Sequence, residues 1–340
     1  MQNLLNYVLC FLAAFLISSF VCAVLLRFLG TRFVDVPAGI KTHSGSVPLV
    51  GGTAIAAGFF FSLIIMRFIT DFPTGTLHSL RGIFAGGAII YICGLIDDIK
   101  KPKGLGTGIK LLAQAAAAYA LIHYGIKINF IQNTFISYAL TMLWVIGVTN
   151  AFNLLDIADS FAVSQACVAA LFFIIVALPS EHIYVNFAAA ALLGGALAFW
   201  PFNVSKTFKS FMGDGGSMLL GFVLSAVAMG AEYTMKSPLA VFAPILILAV
   251  PLWDTAFVFI VRMIQGKNPL KGSPDHMLII LKEYGVSPVA TVTIMMLASL
   301  FYGAMALCVV NLKPVWSYII LLVCAADMLL AGYYIYKLKK

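Results

Sequence analysis

Charge is the scarcest commodity in this sequence. Of 340 residues only 10% are Asp, Glu, Lys or Arg, against 62% apolar, and the mean hydropathy is +1.02. A soluble globular chain is about a quarter charged, so a cytosolic enzyme, a disordered chain and a nucleic-acid-binding module are all excluded. Paired cysteines are missing too. Cys10, Cys22, Cys93, Cys167, Cys308 and Cys324 form no CxxC and all lie inside apolar runs, which suits small buried side chains rather than disulfides or metal ligands. No basic stretch precedes the first apolar run, so that run reads as an uncleaved first helix and not as a signal peptide. No polar stretch is long enough to make a soluble domain.

Long apolar runs fill the chain instead. A helix that crosses a bilayer needs about 20 mostly apolar residues. Eleven such runs occur, at roughly 4–29, 49–69, 80–96, 108–124, 131–150, 160–178, 183–200, 216–233, 238–262, 289–310 and 315–336. They are too long and too evenly apolar for barrel strands of about ten alternating residues. The expected fold is all-α: one polytopic membrane helix bundle over 1–340, with ten or eleven transmembrane helices.

Basic residues set the orientation. Lys and Arg collect on the cytoplasmic side of membrane proteins. With eleven spans, Arg67, Arg81, Lys127, Lys236 and Lys313 fall on one side and the other sixteen of the 21 basic residues on the opposite side. The expectation is an N-terminus outside and a C-terminus in the cytoplasm. Asp35, Asp97, Asp98, Asp156, Asp159, Asp214, Asp254, Asp275 and Glu283 share the basic side. Only Asp327 lies deep within a run, and no partner for it is evident in sequence. A transporter more often places its ionisable groups near the bilayer midplane. This pattern points to a reaction centre at one membrane surface.

The loops on that side, within 27–48, 97–110, 150–160, 201–217 and 262–288, hold the candidate chemistry. Asp97 and Asp98 end the third run, at the unfavourable end of a helix dipole. Neighbours on a helix point about 100° apart, so the two serve different partners. Asn153, Asp156 and Asp159 recur at intervals of three and form one polar stripe, with no basic residue in their loop, so a divalent cation is the natural counter-charge. Gly213-Asp214-Gly215-Gly216 opens a helix whose N-terminus favours an anion, and its glycines would let a phosphate approach the backbone. Lys41, His43, Lys110, Asp254 and His276 complete the set. Mg²⁺ binds through one or two carboxylates plus substrate phosphates, and phosphoryl transfer relies mainly on positioning and charge neutralisation.

Six segments resemble one family. DVPAGIKTHSGSVPLVGG (35–52), GLIDDIK (94–100), NAFNLLDIAD (150–159), FMGDGGSMLLGF (211–222), PLWD (251–254) and SPDH (273–276) are similar, in order, to the polyprenyl-phosphate N-acetylhexosamine-1-phosphate transferases. That is glycosyltransferase family 4, the WecA/TagO/MraY-like group, and the WecA/TagO branch looks nearer. The resemblance implies transfer of a sugar 1-phosphate from a UDP-sugar to undecaprenyl or another polyprenyl phosphate, releasing UMP. It implies Mg²⁺, with Mn²⁺ as a substitute, and a multi-pass protein of the bacterial cytoplasmic membrane that often pairs as a homodimer. It makes Asp97, Asp98 and Asp214 catalytic. Asp214, Asp156 and Asn153 would hold the metal, and Lys41, Lys110, Asn153, Asp159 and His276 would bind substrate. The family's Asp-Gly-x-Asp-Gly is Asp156-Ile157-Ala158-Asp159-Ser160 here, with both glycines replaced. Its His-x-His-His keeps only His276, with Leu278 and Ile279 at the other positions, and Ile40 replaces an Arg. The expected result is an active transferase with altered donor preference. The alternatives are an MraY-like phospho-MurNAc-pentapeptide transferase and a catalytically silent paralogue that binds polyprenyl phosphate.

Overall fold

The structure is a computed structural model and describes residues 2–30, 34–35, 46–101, 103–179, 182–234, 236–268 and 273–339. It is helical nearly throughout, and the helices form two compact units, Met1–Ala231 and Glu232–Lys340.

The first unit holds α1 (Gln2–Leu29), α2 (Gly51–Ile69), α3 (Thr74–Ile99), α4 (Thr107–His123), α5 (Thr134–Leu155), α6 (Phe161–Ala177), α7 (Ile183–Val204) and α8 (Gly213–Gly230). A two-residue antiparallel ribbon, β1 (Val34–Asp35) with β2 (Val47–Pro48), precedes α2. The second unit holds a 3₁₀ turn (Pro238–Phe242), α9 (Ala243–Ile247), α10 (Ala249–Ile264), α11 (Met277–Glu283), α12 (Pro288–Asn311) and α13 (Pro314–Lys339).

All eleven apolar runs fall on helix. Eight helices (α1, α2, α3, α5, α7, α8, α12 and α13) are long and apolar enough to cross a membrane. A ninth crossing arises if Pro238–Ile247 and Ala249–Ile264, bent by 75°, count as one span. Pro244 and Pro251 flank that bend at Leu248, and each removes a backbone donor from the ladder. The two remaining runs are α4 and α6, of 17 residues each. The ribbon and α11 were not legible from apolar periodicity, because both are short and lie between runs.

α8 is the most enclosed span of the first unit and packs against α3, α5 and α2. Its sequence, GDGGSMLLGFVLSAVAMG, is rich in small residues, which let helix backbones approach closely within a membrane. A Cβ on Gly94 of α3 would lie 2.5 Å from Gly215 Cα, and one on Gly52 of α2 would lie 2.5 Å from the Gly216 nitrogen. Backbone pairing reinforces the join: Gly51 and Gly52 donate to the Phe211 and Met212 carbonyls at 3.1 and 2.9 Å, and Phe211 donates to the Pro48 carbonyl at 2.8 Å. These contacts satisfy amides at the start of α2 that a helix cannot pair internally.

In the second unit the deep acid has a partner. Tyr302 of α12 donates its hydroxyl to Asp327 of α13 at 2.5 Å. The six cysteines are unpaired, and all but Cys308 are buried.

The Gly94–Gly215 contact gives a direct test. Gly94→Ala is expected to destabilise the protein by about 1–3 kcal/mol through overpacking, read as a lower thermal midpoint in detergent. Gly75→Ala, where a new Cβ meets nothing within 4 Å, should hold or raise that midpoint, because Ala favours helix over Gly.

Candidate active site

Four helix ends meet in the first unit: the C-termini of α3 and α5 and the N-termini of α4 and α8. Each brings part of the predicted site. Asp97 and Asp98 close α3, Lys110 lies in the first turn of α4, Asn153 and Asp156 end α5, and Asp214 opens α8.

Asp98 joins two of these ends. It stands at the negative end of α3, yet its Oδ1 accepts from the Asp214 amide and its Oδ2 from the Gly215 amide, both at 3.0 Å. The free amides of α8 thus offset the unfavourable end of α3. Gly213 makes this approach possible. Its φ is +75°, in the left-handed region, and a Cβ there would lie 2.5 Å from Asp98 Oδ2. The expectation that the glycines of this motif serve a ligand phosphate is therefore revised. Gly213 admits Asp98, Gly215 admits Gly94, and Gly216 admits Gly52, so these glycines face protein.

Asp97 points to a different set of partners, as adjacent helical residues must. Its Oδ1 accepts the Leu105 amide at 2.6 Å and lies 3.0 Å from Lys110 Nζ. Lys110 Nζ also donates to Asp214 Oδ2 at 2.6 Å. Lys101 Nζ bridges Asp98 Oδ1 at 2.6 Å and Asp214 Oδ1 at 3.1 Å. Burial draws the Lys101 ammonium down, but Asp214 and Asp98 more than reverse this and hold its pKa above the ordinary lysine value. Oxygens of Asp97, Asp98 and Asp214 lie within 4.8 Å of one another, and this is the one cluster among the described residues able to hold a metal ion.

The α5 stripe takes up separate positions. Asn153 Nδ2 donates to Ser217 Oγ at 3.0 Å, and Ser217 donates to the Gly213 carbonyl at 3.1 Å. Asp156 lies outside the three-carboxylate group. Burial first, then the charge on Asp214, raises its carboxyl to about 7, against the pull of Lys101. Asp159 pairs with Lys209, which comes from the loop before α8. The sequence had offered no cation for this stripe, because Lys209 is fifty residues away.

The Gly-to-Ser change at position 160 has a conformational consequence. Ser160 has φ +62°, the left-handed region. Its amide donates to Asn203 Oδ1 at 2.6 Å, and Asn203, itself buried, donates to the Ser210 carbonyl at 3.1 Å. The turn that glycine would make freely is here imposed on serine and held by Asn203.

Lys41 and His43 lie outside the described residues. His276 belongs to the second unit. Its Nδ1 lies 2.6 Å from Asp254 Oδ2, and Asp254 Oδ1 also accepts the Met277 amide at 2.9 Å. The adjacent Asp275 is bound by Ser273, Lys339 and, at 3.5 Å, Arg262. Sequence reasoning missed Lys101, Ser217, Lys209 and Asn203. Lys101 alone carried a local signal, since it follows Asp98 by three residues on one helical face.

Residues 80–232 match the family model described as Glycosyl transferase family 4, and that span contains Asp97, Asp98, Lys101, Lys110, Asn153, Asp156, Asp159 and Asp214. Over those residues the chain is similar to this family. "Probable undecaprenyl-phosphate N-acetylglucosaminyl 1-phosphate transferase" of Bacillus subtilis (strain 168) is 28% identical over 294 residues, which cover 83% of this chain and 78% of that protein. Decaprenyl-phosphate N-acetylglucosaminephosphotransferase of Mycolicibacterium smegmatis is 28% identical over 286 residues, covering 74% and 69%. Undecaprenyl-phosphate alpha-N-acetylglucosaminyl 1-phosphate transferase of Escherichia coli (strain K12) is 25% identical over 280 residues, covering 77% and 73%. The chain is thus a multi-pass membrane protein with a carboxylate–lysine cluster where four helix ends converge, similar in that segment to glycosyl transferase family 4.

The strained turn is testable. Ser160→Val is expected to cost about 1–3 kcal/mol, because a β-branched residue tolerates the left-handed region poorly. Ser160→Gly should match or exceed the parent. Thermal unfolding midpoints of the purified variants provide the measurement.

Proposed function

We propose that this protein transfers N-acetylglucosamine 1-phosphate, or a close N-acetylhexosamine equivalent, from its UDP-sugar to a polyprenyl phosphate, with release of UMP. The observation that carries this reading is the convergence of Asp97, Asp98 and Asp214 with Lys101 and Lys110, inside the segment that matches the family. An oxygen of the lipid phosphate attacks the sugar-bearing phosphorus, the bond from that phosphorus to the bridging oxygen breaks, and UMP leaves. We place the site at the cytoplasmic surface of the inner membrane, where the basic bias puts these loops and where a soluble nucleotide-sugar can meet a lipid acceptor.

The residues divide the work. Asp98 accepts two backbone amides and Lys101, so it fixes α3 against α8 while its carboxylate stays within the three-acid cluster. Asp97, with Oδ1 engaged by Leu105 and Lys110 and Oδ2 bonded to no described residue, is the carboxylate we assign to the lipid phosphate and its proton. Lys110 and Lys101 supply positive charge for the phosphates, which in phosphoryl transfer carry the developing charge. The donor set is entirely carboxylate oxygen, which suits Mg²⁺ or Mn²⁺ over softer metals. Asp214 with Asp97 and Asp98 would hold such an ion, which when bound would neutralise the donor diphosphate. Asn153 and Asp156 border that cluster, and Asn153, its amide N–H spent on Ser217, has its carbonyl oxygen left as a ligand atom. We assign Asp159 and Lys41 to the nucleotide.

A UMP-release assay with undecaprenyl phosphate, UDP-N-acetylhexosamines and Mg²⁺ tests the reading. Asp214→Asn and EDTA should each abolish release from protein that remains folded; undiminished turnover in Asp214→Asn would overturn the assignment. Asp97→Asn should lower kcat at least about 100-fold with little change in thermal midpoint. Asp98→Asn should lower the midpoint as well, by about 1–3 kcal/mol of stability, because its amide and lysine partners lose a charged acceptor.

A further inference from the structure

Lys101 stands in an unusual place for a residue that merely offsets charge. Its ammonium is shared between two carboxylates from different helices, 2.6 Å from Asp98 Oδ1 and 3.1 Å from Asp214 Oδ1. A divalent cation held by those carboxylates would compete with the ammonium for the same oxygens. Lys110 meanwhile covers the other oxygen of Asp214 at 2.6 Å and shares it with Asp97. Both oxygens of Asp214 are thus occupied by ammonium groups.

The two lysines differ in how they are mounted. Lys110 rises from the first turn of α4. Lys101 sits in the turn just after α3, whose cap is Lys100, and its backbone amide makes only a 3.3 Å bond to the Asp98 carbonyl. The two side chains are about equally exposed, 23% and 21%, so what distinguishes Lys101 is its turn position, from which an unbranched stem can swing the ammonium outward without unpacking a helix. The charge count favours such a move. Three carboxylates against two lysines leave one negative charge, so a divalent cation is welcome. Once the cation arrives, the ammonium on Asp98 and Asp214 becomes redundant.

We propose that Lys101 is a built-in competitor for the divalent-cation site: it occupies Asp98 and Asp214 in the metal-free protein, and is displaced from them when the cation binds, which frees its ammonium for an incoming phosphate. This inference rests on the transferase reading for the identity of the phosphate, but not for the competition itself. Metal-free charge repulsion within the carboxylate cluster is thereby contained until the cation is present, and cation loading is coupled to a lysine becoming available to substrate.

The test is direct Mn²⁺ binding to the purified full-length protein in detergent, read by electron paramagnetic resonance, without substrates. Lys101→Met keeps the length and removes the charge. It should bind Mn²⁺ about tenfold more tightly than the parent, since it removes the competing cation. Its thermal midpoint without divalent cation should fall, and Mn²⁺ should restore it. Lys101→Arg retains a cation that can grip carboxylates with two parallel bonds, and should bind Mn²⁺ several-fold more weakly. It also serves if the methionine variant does not fold. Equal Mn²⁺ affinity in parent and variants, weaker affinity in Lys101→Met, or no Mn²⁺ binding by any of them would overturn the proposal. UMP release by the parent, assayed separately, keeps the two claims apart. Shifted Mn²⁺ affinity without any UMP release would leave the competition standing and remove the transferase reading. UMP release with unshifted affinity would do the reverse.

Discussion

The Asp98 carboxylate is the constraint on which the rest of the site depends. It sits at the end of one helix where a negative charge is unwelcome and at the start of another where it is favoured, and the second environment prevails because two backbone amides reach it at 3.0 Å. That contact fixes where α3 ends relative to where α8 begins. It therefore fixes Asp97, its neighbour in sequence, and Asp214, its neighbour in space. The left-handed Gly213 and the glycine-on-glycine contact of Gly94 with Gly215 are the local conditions for such a close approach. A side chain at any of these positions would push the two helix ends apart and open the carboxylate cluster.

Around that junction, polar side chains are used sparingly and mostly in pairs. Asn150 and Gln114 exchange amide hydrogen bonds at 2.8 and 3.2 Å between α5 and α4. Asn153 and Ser217 tie α5 to α8, and Asn203 holds the Ser160 turn. In a chain so short of charge, each buried polar group without a partner would be costly. For these pairs the cost is avoided by joining helix ends, which is also what a reaction centre made from four separate segments requires. The second unit shows the same economy, with Asp254 spanning His276 and the first amide of α11.

Much of this was legible in the residues before any coordinates. Asp97, Asp98, Asp214 and Lys110 were singled out, and the structure brings all four together. Asp156 and Asn153, expected as metal ligands, lie outside the three-carboxylate cluster, because Asn153 is tied to Ser217 and Asp156 sits past the last turn of α5. Lys101 carries no assigned partner in the sequence, which shows that a lysine lies near a carboxylate but not which one its stem reaches. Lys209 was invisible as the partner of Asp159, because fifty residues separate them and only the return of the chain through α7 makes them neighbours. The motif glycines were read as making room for a ligand, and packing shows that they make room for other helices.

The sequence by itself determined the membrane class, the helical content, the position of nearly every span and the family's motifs, because these follow from run length, charge scarcity and local spacing. Tertiary structure alone decided which carboxylates share one cluster, which lysines neutralise them, and that Ser160 holds a turn suited to glycine. The physical reason is that apolar run length is a one-dimensional property, whereas the sharing of a proton donor or a cation depends on which helix ends meet. That meeting is set by close backbone packing between segments far apart in the chain.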